Sequence, residues 1–258
     1  MIDLFRMDGK VAVVIGGAGG LGEPIALGFA FYGAKVAVAG RRLENVQAVA
    51  ERIQKETASE AAAFQVDASD EQSVIRLKEQ VVAKFGTVDI LMNAHGLSIK
   101  KPAVEFPLDI WNQQFSLNVN AFMLPCREFG KVMIAKKKGK IINMSSVRGT
   151  RATMWGGNAG YCASKGALDM FTKALASEWA PYNINVNAIA PSIVRTKLAE
   201  KAGVLAPDHL KKYLANVPLQ RIGEPEDIVG LSVFLASRAS DFITGQIMYL
   251  DGGLTAVG

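Results

Sequence analysis

Cysteine and histidine are nearly absent from this chain, two of each in 258 residues. Cys126 and Cys162 show neither the spacing of a redox motif nor that of a metal site. So few soft ligands lead us to expect no metal, and free thiols point to a reducing compartment, the cytoplasm. Long apolar runs are lacking as well. No uncharged stretch reaches the ~20 residues of a membrane-spanning helix, and Met1 to Asp8 holds acids where a secretory signal would hold lysines. Neither a membrane span nor a signal is therefore expected. Proline-rich, serine-rich, low-complexity and repeating segments are missing too, so residues 1–258 read as one domain. The net charge of +5 gives little ground for a nucleic-acid partner. The basic run Lys136-Lys137-Lys138 has no interleaved aromatics and reads as the cationic end of a long helix.

Glycine is plentiful and unevenly placed. Gly16-Gly17-Ala18-Gly19-Gly20-Leu21-Gly22 follows the apolar run Val11 to Ile15 and precedes a helical pattern from Ile25 to Tyr32. A strand, a glycine turn and a helix in that order set free N–H groups and a positive helix end against a pyrophosphate. Further β-rich runs lie near Val36, Ala63, Ile90, Ile141, Ile184 and Ile247, with helical patterns between them. The alternation predicts an α/β fold, a Rossmann-like doubly wound parallel sheet of about seven strands with helices on both faces. Such sheets bind ligands beyond the carboxyl ends of their strands. The glycine loop, Asp67, Asn93, Ser146 and Pro191 all fall at predicted strand ends.

Tyr161-Cys162-Ala163-Ser164-Lys165 carries the chemistry. A free phenol has a pKa near ~10 and is a poor base at neutral pH. On a helix, a lysine four residues later shares the tyrosine's face and can stabilise the phenolate. Two more blocks, Asn93-Ala94-His95-Gly96 and Asn143-Met144-Ser145-Ser146, each end an apolar strand.

With these blocks the chain resembles the short-chain dehydrogenase/reductase family from Gly9-Lys10 to Asp251-Gly252-Gly253. The family's glycine motif falls on Gly16, Gly20 and Gly22, with Leu21 beside them, and its asparagine-glycine motif on Asn93 and Gly96. Its catalytic tetrad falls on Asn118, Ser146, Tyr161 and Lys165. The resemblance implies hydride transfer between a nicotinamide cofactor and a carbonyl or secondary alcohol. Tyr161 would be the acid/base, Lys165 would lower its pKa and hold the nicotinamide ribose, and Ser146 would orient the carbonyl oxygen. Asn118 would hold a water that links Lys165 to solvent. Asp67, with Ala68, would meet the adenine, and Pro191, Val194 and Thr196 would meet the carboxamide. Three positions depart from the family pattern: Ile15 for threonine, Ala94-His95 for Asn-Ala, and Ser192 for glycine.

Gly40 stands where NAD-binding relatives place an acid for the ribose hydroxyls, and Arg41-Arg42 follow it. A guanidinium there suits a phosphate, so NADP(H) is favoured over NAD(H). Lys100, Arg148, Arg151, Trp155 and His95 are expected on loops around the crevice, with residues 197–216 as a lid. That mixture suits a small polar substrate, sugar-like or anionic, with a β-ketoacyl thioester as the alternative. His95 is expected to pack or shape the backbone rather than catalyse. A non-catalytic cofactor-binding sensor would be expected to lose Tyr161 or Lys165, and both are present. The family's tetramers suggest a homotetramer built through helices near Asn118 to Met133 and Tyr161 to Trp179 and the strand Gln246 to Leu250. Phe122, Met123, Phe129, Leu168, Phe171 and Leu175 would supply apolar surface beyond one core-facing stripe.

Overall fold

The computed structural model describes residues 3–153, 156–201 and 203–257. Seven parallel strands form one sheet: β1 (Val11–Ile15), β2 (Lys35–Gly40), β3 (Ala61–Gln65), β4 (Ile90–Asn93), β5 (Gly139–Met144), β6 (Ile184–Pro191) and β7 (Ile247–Leu250). Their order is β3-β2-β1-β4-β5-β6-β7. The chain runs outward from β1 to β3 and then returns to β4 on the other side of β1. A switch point between β1 and β4 results, and a doubly wound sheet opens its crevice there. All seven strands stand where the sequence predicts them.

Side chains of successive strand residues point to opposite faces, and both faces are covered. Ala12, Val14, Val36, Val38, Ile90, Met92 and Ile142 pack with Ile25 and Phe29 of helix α1 (Gly22–Phe31), with Val46 and Ile53 of α2 (Leu43–Glu56), and with a carboxyl-terminal helix, Pro225–Ala236. The alternate residues Val13, Ile15, Ala37, Leu91, Ile141 and Val186 pack with α3 (Glu71–Phe85), α5 (Ala121–Lys136) and α6 (Ala159–Trp179). A short helix α4 (Leu108–Phe115) precedes α5. The expected single helix from Asn118 is broken at its start, because Ser116–Asn120 forms a π-helical turn that joins α4 to α5. Lys136 ends α5, and Lys137 takes a left-handed conformation, φ 53°.

The segment after β6 forms α7 (Lys197–Lys201) and α8 (Pro207–Leu214). Tyr213 and Val217 are buried there with Val147, Ile222 and Leu254 in a separate small apolar cluster, so α8 is docked on the protomer. Among the described residues no helix is long and apolar enough to cross a membrane. Of the six apolar residues expected as surplus on the two long helices, Met123 and Phe171 are partly buried. Phe122, Phe129 and Leu168 are fully buried and Leu175 is nearly so. Outward-facing apolar groups lie at Met170 on α6, and at Phe242 and Tyr249.

Candidate active site

Strand ends and the loops that follow them line a cleft of about 880 Å³ along the switch point. Gly16 turns there with φ 80°, and a Cβ on it would lie 2.8 Å from the Ala94 carbonyl oxygen, so the loops after β1 and β4 touch through backbone alone. A Cβ on Gly20 would lie 2.8 Å from Thr196 Cβ, and one on Gly22 would collide with the Gly16 carbonyl oxygen. Glycine is required at these positions by contact. No side chain caps the start of α1 at Leu21, which leaves its positive N–H end open to an anion.

Of the expected residues, Gly16, Gly20, Leu21, Arg41, Arg42, Asp67, Ala68, Gly96, Ser146, Tyr161, Lys165, Pro191, Val194 and Thr196 line the cleft. Asn93 and Gly22 instead support it from behind. The Asn93 amide donates to Asn143 Oδ1 (2.9 Å), and Asn143 donates to Thr172 Oγ1 (3.1 Å), a fully buried chain that ties β4 and β5 to α6. Arg148 and Arg151, expected beside a substrate, are not among the residues that line the cleft, although the charge of Arg148 acts on Tyr161. Arg148 Nη1 donates to the Ala152 carbonyl (2.8 Å), and Arg151 donates to the Leu254 carbonyl. Backbone acceptors hold both guanidinium groups, one from the same loop and one from the carboxyl-terminal segment. Trp155, also expected there, lies outside the described residues.

At the centre of the cleft Lys165 is 2 % exposed and donates to the Met144 carbonyl (2.7 Å). Its Nζ stands 5.1 Å from the Phe122 ring centre and 5.9 Å from that of Tyr161. Burial lowers its pKa from 10.5 to about 8, opposed by the charge of Asp169. The Tyr161 hydroxyl is raised by burial, with the Ser146 hydroxyl and Arg148 pulling against the shift. Desolvation of the phenolate is the largest influence on the phenol and outweighs the pull of Ser146 and Arg148. Asn118, fully buried in the π-helical turn, accepts from Leu97 N (2.8 Å) and donates to the Leu97 carbonyl (2.7 Å) and Ser164 Oγ (3.0 Å).

His95 packs against Phe122 with ring centres 4.3 Å apart, and burial drives its pKa down to about 3. It is therefore a neutral packed ring. At the other end of the cleft Asp67 is held ionised mainly by Ser69, whose hydroxyl donates at 2.6 Å. Thr196 Oγ1 accepts from Ala199 N (3.1 Å) and so caps α7. Sequence reading missed Asn45 and Gln113, which also line the cleft. With its amide oriented to suit its neighbours, Asn45 accepts from Arg42 Nε and Nη2 at 3.0 Å and holds that guanidinium in place. An asparagine three residues beyond an arginine in the first turn of a helix was the available signal.

A family model described as Enoyl-(Acyl carrier protein) reductase matches residues 16–255. An NAD-dependent glycerol dehydrogenase of Listeria innocua is 37% identical over 253 residues, 97% of this chain and 96% of that protein. The chain belongs to the short-chain dehydrogenase/reductase family. Gluconate 5-dehydrogenase of Gluconobacter oxydans is 34% identical over 98% of this chain and 97% of that protein. A solved gluconate 5-dehydrogenase from Burkholderia cenocepacia, in complex with NADP and tartrate, superposes with a TM-score of 0.93 at 33% identity and covers 99% of both chains. The family model bears an acyl-carrier name, whereas these relatives are dehydrogenases of a polyol and a sugar acid. The polyol and sugar-acid relatives match essentially end to end.

Burial of Lys165 has a measurable sign. Below about pH 8 the fold holds a charged ammonium in a dry site; between about 8 and 10.5 the folded lysine is neutral while the unfolded one still binds its proton, so stability rises with pH across that window. Lys165→Met should therefore stabilise the fold at neutral pH, by up to about 3 kcal/mol. The gain should shrink as pH rises through the window. Urea unfolding at neutral and alkaline pH checks this, and a destabilised variant at neutral pH would contradict it.

Proposed function

We propose that this protein transfers hydride between NADP(H), in preference to NAD(H), and the carbonyl or secondary alcohol of a small sugar-like or anionic substrate. The observation that carries this reading is the meeting of Tyr161, Ser146 and Lys165 at one end of a cleft whose other end is floored by glycine. A dinucleotide fits what the chain offers. Backbone at Gly16 and Gly20 is bare of side chains, the start of α1 is uncapped, and Arg41 and Arg42 stand beside Gly40. The bound cofactor supplies the hydride. Asp67 and Ala68 would hold its adenine, Arg41 and Arg42 its phosphate, and Pro191, Val194 and Thr196 its carboxamide.

Tyr161, kept as a neutral phenol by burial, is set to give a proton to a carbonyl oxygen and to regain it in the reverse direction. Ser146 donates to the same oxygen as charge develops on it. Lys165 keeps an ammonium beside the phenol, and the Asn118 bonds to Leu97 fix the turn behind it. α7 and α8 serve as a lid that keeps water from the transfer.

Charge supports the substrate class. Among the described residues that line the cleft, Arg41, Arg42, Lys100 and Lys165 are cations, and Asp67 is the one acid. Lys100, in the loop after β4, has no acid beside it in that lining, so an anion there meets attraction alone. The glycerol and gluconate dehydrogenases named above, and the tartrate in the solved relative, lie in the same chemical range. Assays with polyols, sugar acids and β-ketoacyl thioesters, read by nicotinamide absorbance, should give turnover with sugar acids or polyols. Tyr161→Phe should remove most of it with cofactor affinity retained, and Lys100→Ala should raise KM for the acids alone. Turnover confined to thioesters would move the assignment to an acyl reductase.

Cofactor preference is tested separately. Arg41→Ala should weaken NADPH by about tenfold or more and leave NADH nearly unchanged, since a charge-assisted bond to the extra phosphate is lost. Equal losses in calorimetric titrations of both would mean that Arg41 only supports the loop.

We further propose a cytoplasmic, single-domain protein that assembles as a homotetramer, with Met170 on the outer face of α6 and Tyr249 on β7 in the contacts. Both are exposed in the protomer, Met170 by 64%. Light scattering should give four times the protomer mass of 27.6 kDa, and a fully active monomer at micromolar concentration would defeat the proposal.

A further inference from the structure

Asp169 is a buried acid without a part in the reaction described above. It lies one turn beyond Lys165 on α6, on the same helix face, and is 6% exposed. Its Oδ1 accepts the hydroxyl proton of Ser145, which is itself buried. Its Oδ2 has no hydrogen-bond partner among the described residues. That oxygen presses against Gly149, where even a Cβ would collide with it. Ser145 directly precedes Ser146, and Gly149 ends the 3-10 turn Val147–Gly149 that directly follows it. One carboxylate thus touches the chain on both sides of Ser146.

The same group faces the buried ammonium. Asp169 and Lys165 act on each other electrostatically. The other titratable groups around the pair are Tyr161 and Lys173 on α6 and the neutral His95 beyond β4. Burial pushes the Asp169 carboxyl up, while Ser145, Lys165 and Lys173 pull it down. A carboxylate in a dry site is costly without such partners, so its retention here calls for a role.

We propose that Asp169 is a positioning residue that clamps the Ser146 loop to α6 through Ser145 and Gly149 and supplies the counter-charge that keeps Lys165 protonated. The clamp sets where the Ser146 hydroxyl stands relative to Tyr161, which are carried on different elements. The counter-charge sets the pH at which the ammonium is lost. The kinetic half of this inference rests on the proposed reaction, but the titration of Lys165 does not.

Two variants separate the functions. Asp169→Asn keeps an oxygen that can accept from Ser145 but removes the charge, whereas Ser145→Ala removes the clamp and keeps the charge. Heteronuclear NMR of isotopically labelled lysine, assigned by loss of a signal in Lys165→Met, follows the ammonium without any substrate. Its midpoint, near about 8 in the parent protein, should move to lower pH in Asp169→Asn and stay in place in Ser145→Ala. Turnover should fall in Ser145→Ala by about a hundredfold, the scale of a displaced reacting group, with cofactor affinity retained. Asp169→Glu should restore the midpoint if Asp169→Asn folds poorly. An unmoved midpoint in Asp169→Asn would overturn the counter-charge, and parental turnover in Ser145→Ala would overturn the clamp. A lower melting temperature in either variant, with midpoint and turnover both unchanged, would leave Asp169 a structural residue and overturn the whole proposal.

Discussion

An ammonium buried at the bottom of the cleft is the constraint around which this molecule is arranged. Removing a lysine charge from water costs several kcal/mol unless polar groups replace the lost hydration. Lys165 finds them in parts that come from distant stretches of chain. The Met144 carbonyl is offered at the end of β5, and the aromatic faces of Phe122 and Tyr161 come from α5 and α6. The charge of Asp169 comes from the next turn of α6. None of these works unless β5, α5 and α6 are in register, and the buried Asn93–Asn143–Thr172 chain, with Cys126 of α5 against both asparagines, ties these elements together.

The π-helical turn at Ser116–Asn120 belongs to the same constraint. A regular helix repeats every 3.6 residues, and an inserted residue re-aims one side chain while the rest of the helix continues. Here the re-aimed residue is Asn118, whose amide closes both a donor and an acceptor on Leu97. The loop after β4 is thereby fixed over the crevice. On the other side the loops after β1 and β6 meet at Gly20 and Thr196. The cleft is held open by contacts between loops at both of its rims.

Much of this was legible in the sequence, because strand periodicity and glycine placement are local signals. Seven apolar runs became seven strands, and most of the residues placed at their ends line one cleft, Asn93 standing behind it. What escaped was side-chain direction. Arg148 and Arg151 look like substrate ligands on a loop, yet backbone carbonyls hold both, Ala152 in the same loop and Leu254 near the carboxyl terminus. Phe122, Phe129 and Leu168 look like surplus apolar surface, yet the fold buries all three within the protomer. Tyr161 with a lysine one turn later looks like a primed phenol, yet spacing carries no information on how dry the site is. Asp169 was invisible for the same reason, since a carboxylate on a helix reads as solvated until the fold buries it.

Desolvation acts on the central groups in opposite directions with one common result. It raises the Tyr161 hydroxyl, lowers Lys165 to about 8 and drives His95 to about 3, so each is pushed toward its neutral form. Charges that water can reach are retained at the ends instead, where Arg41 and Arg42 stand exposed on one side and Lys100 on the other. For the proposed reaction this separation has a physical use. A phosphate or carboxylate recognised at an end is attracted by a cation some distance from the reacting carbon, where the field changes little as hydride moves. Such contacts favour ground state and transition state alike and govern affinity. The charge that develops on the substrate oxygen would meet the neutral hydroxyls of Tyr161 and Ser146, whose hydrogen bonds strengthen only as that charge appears.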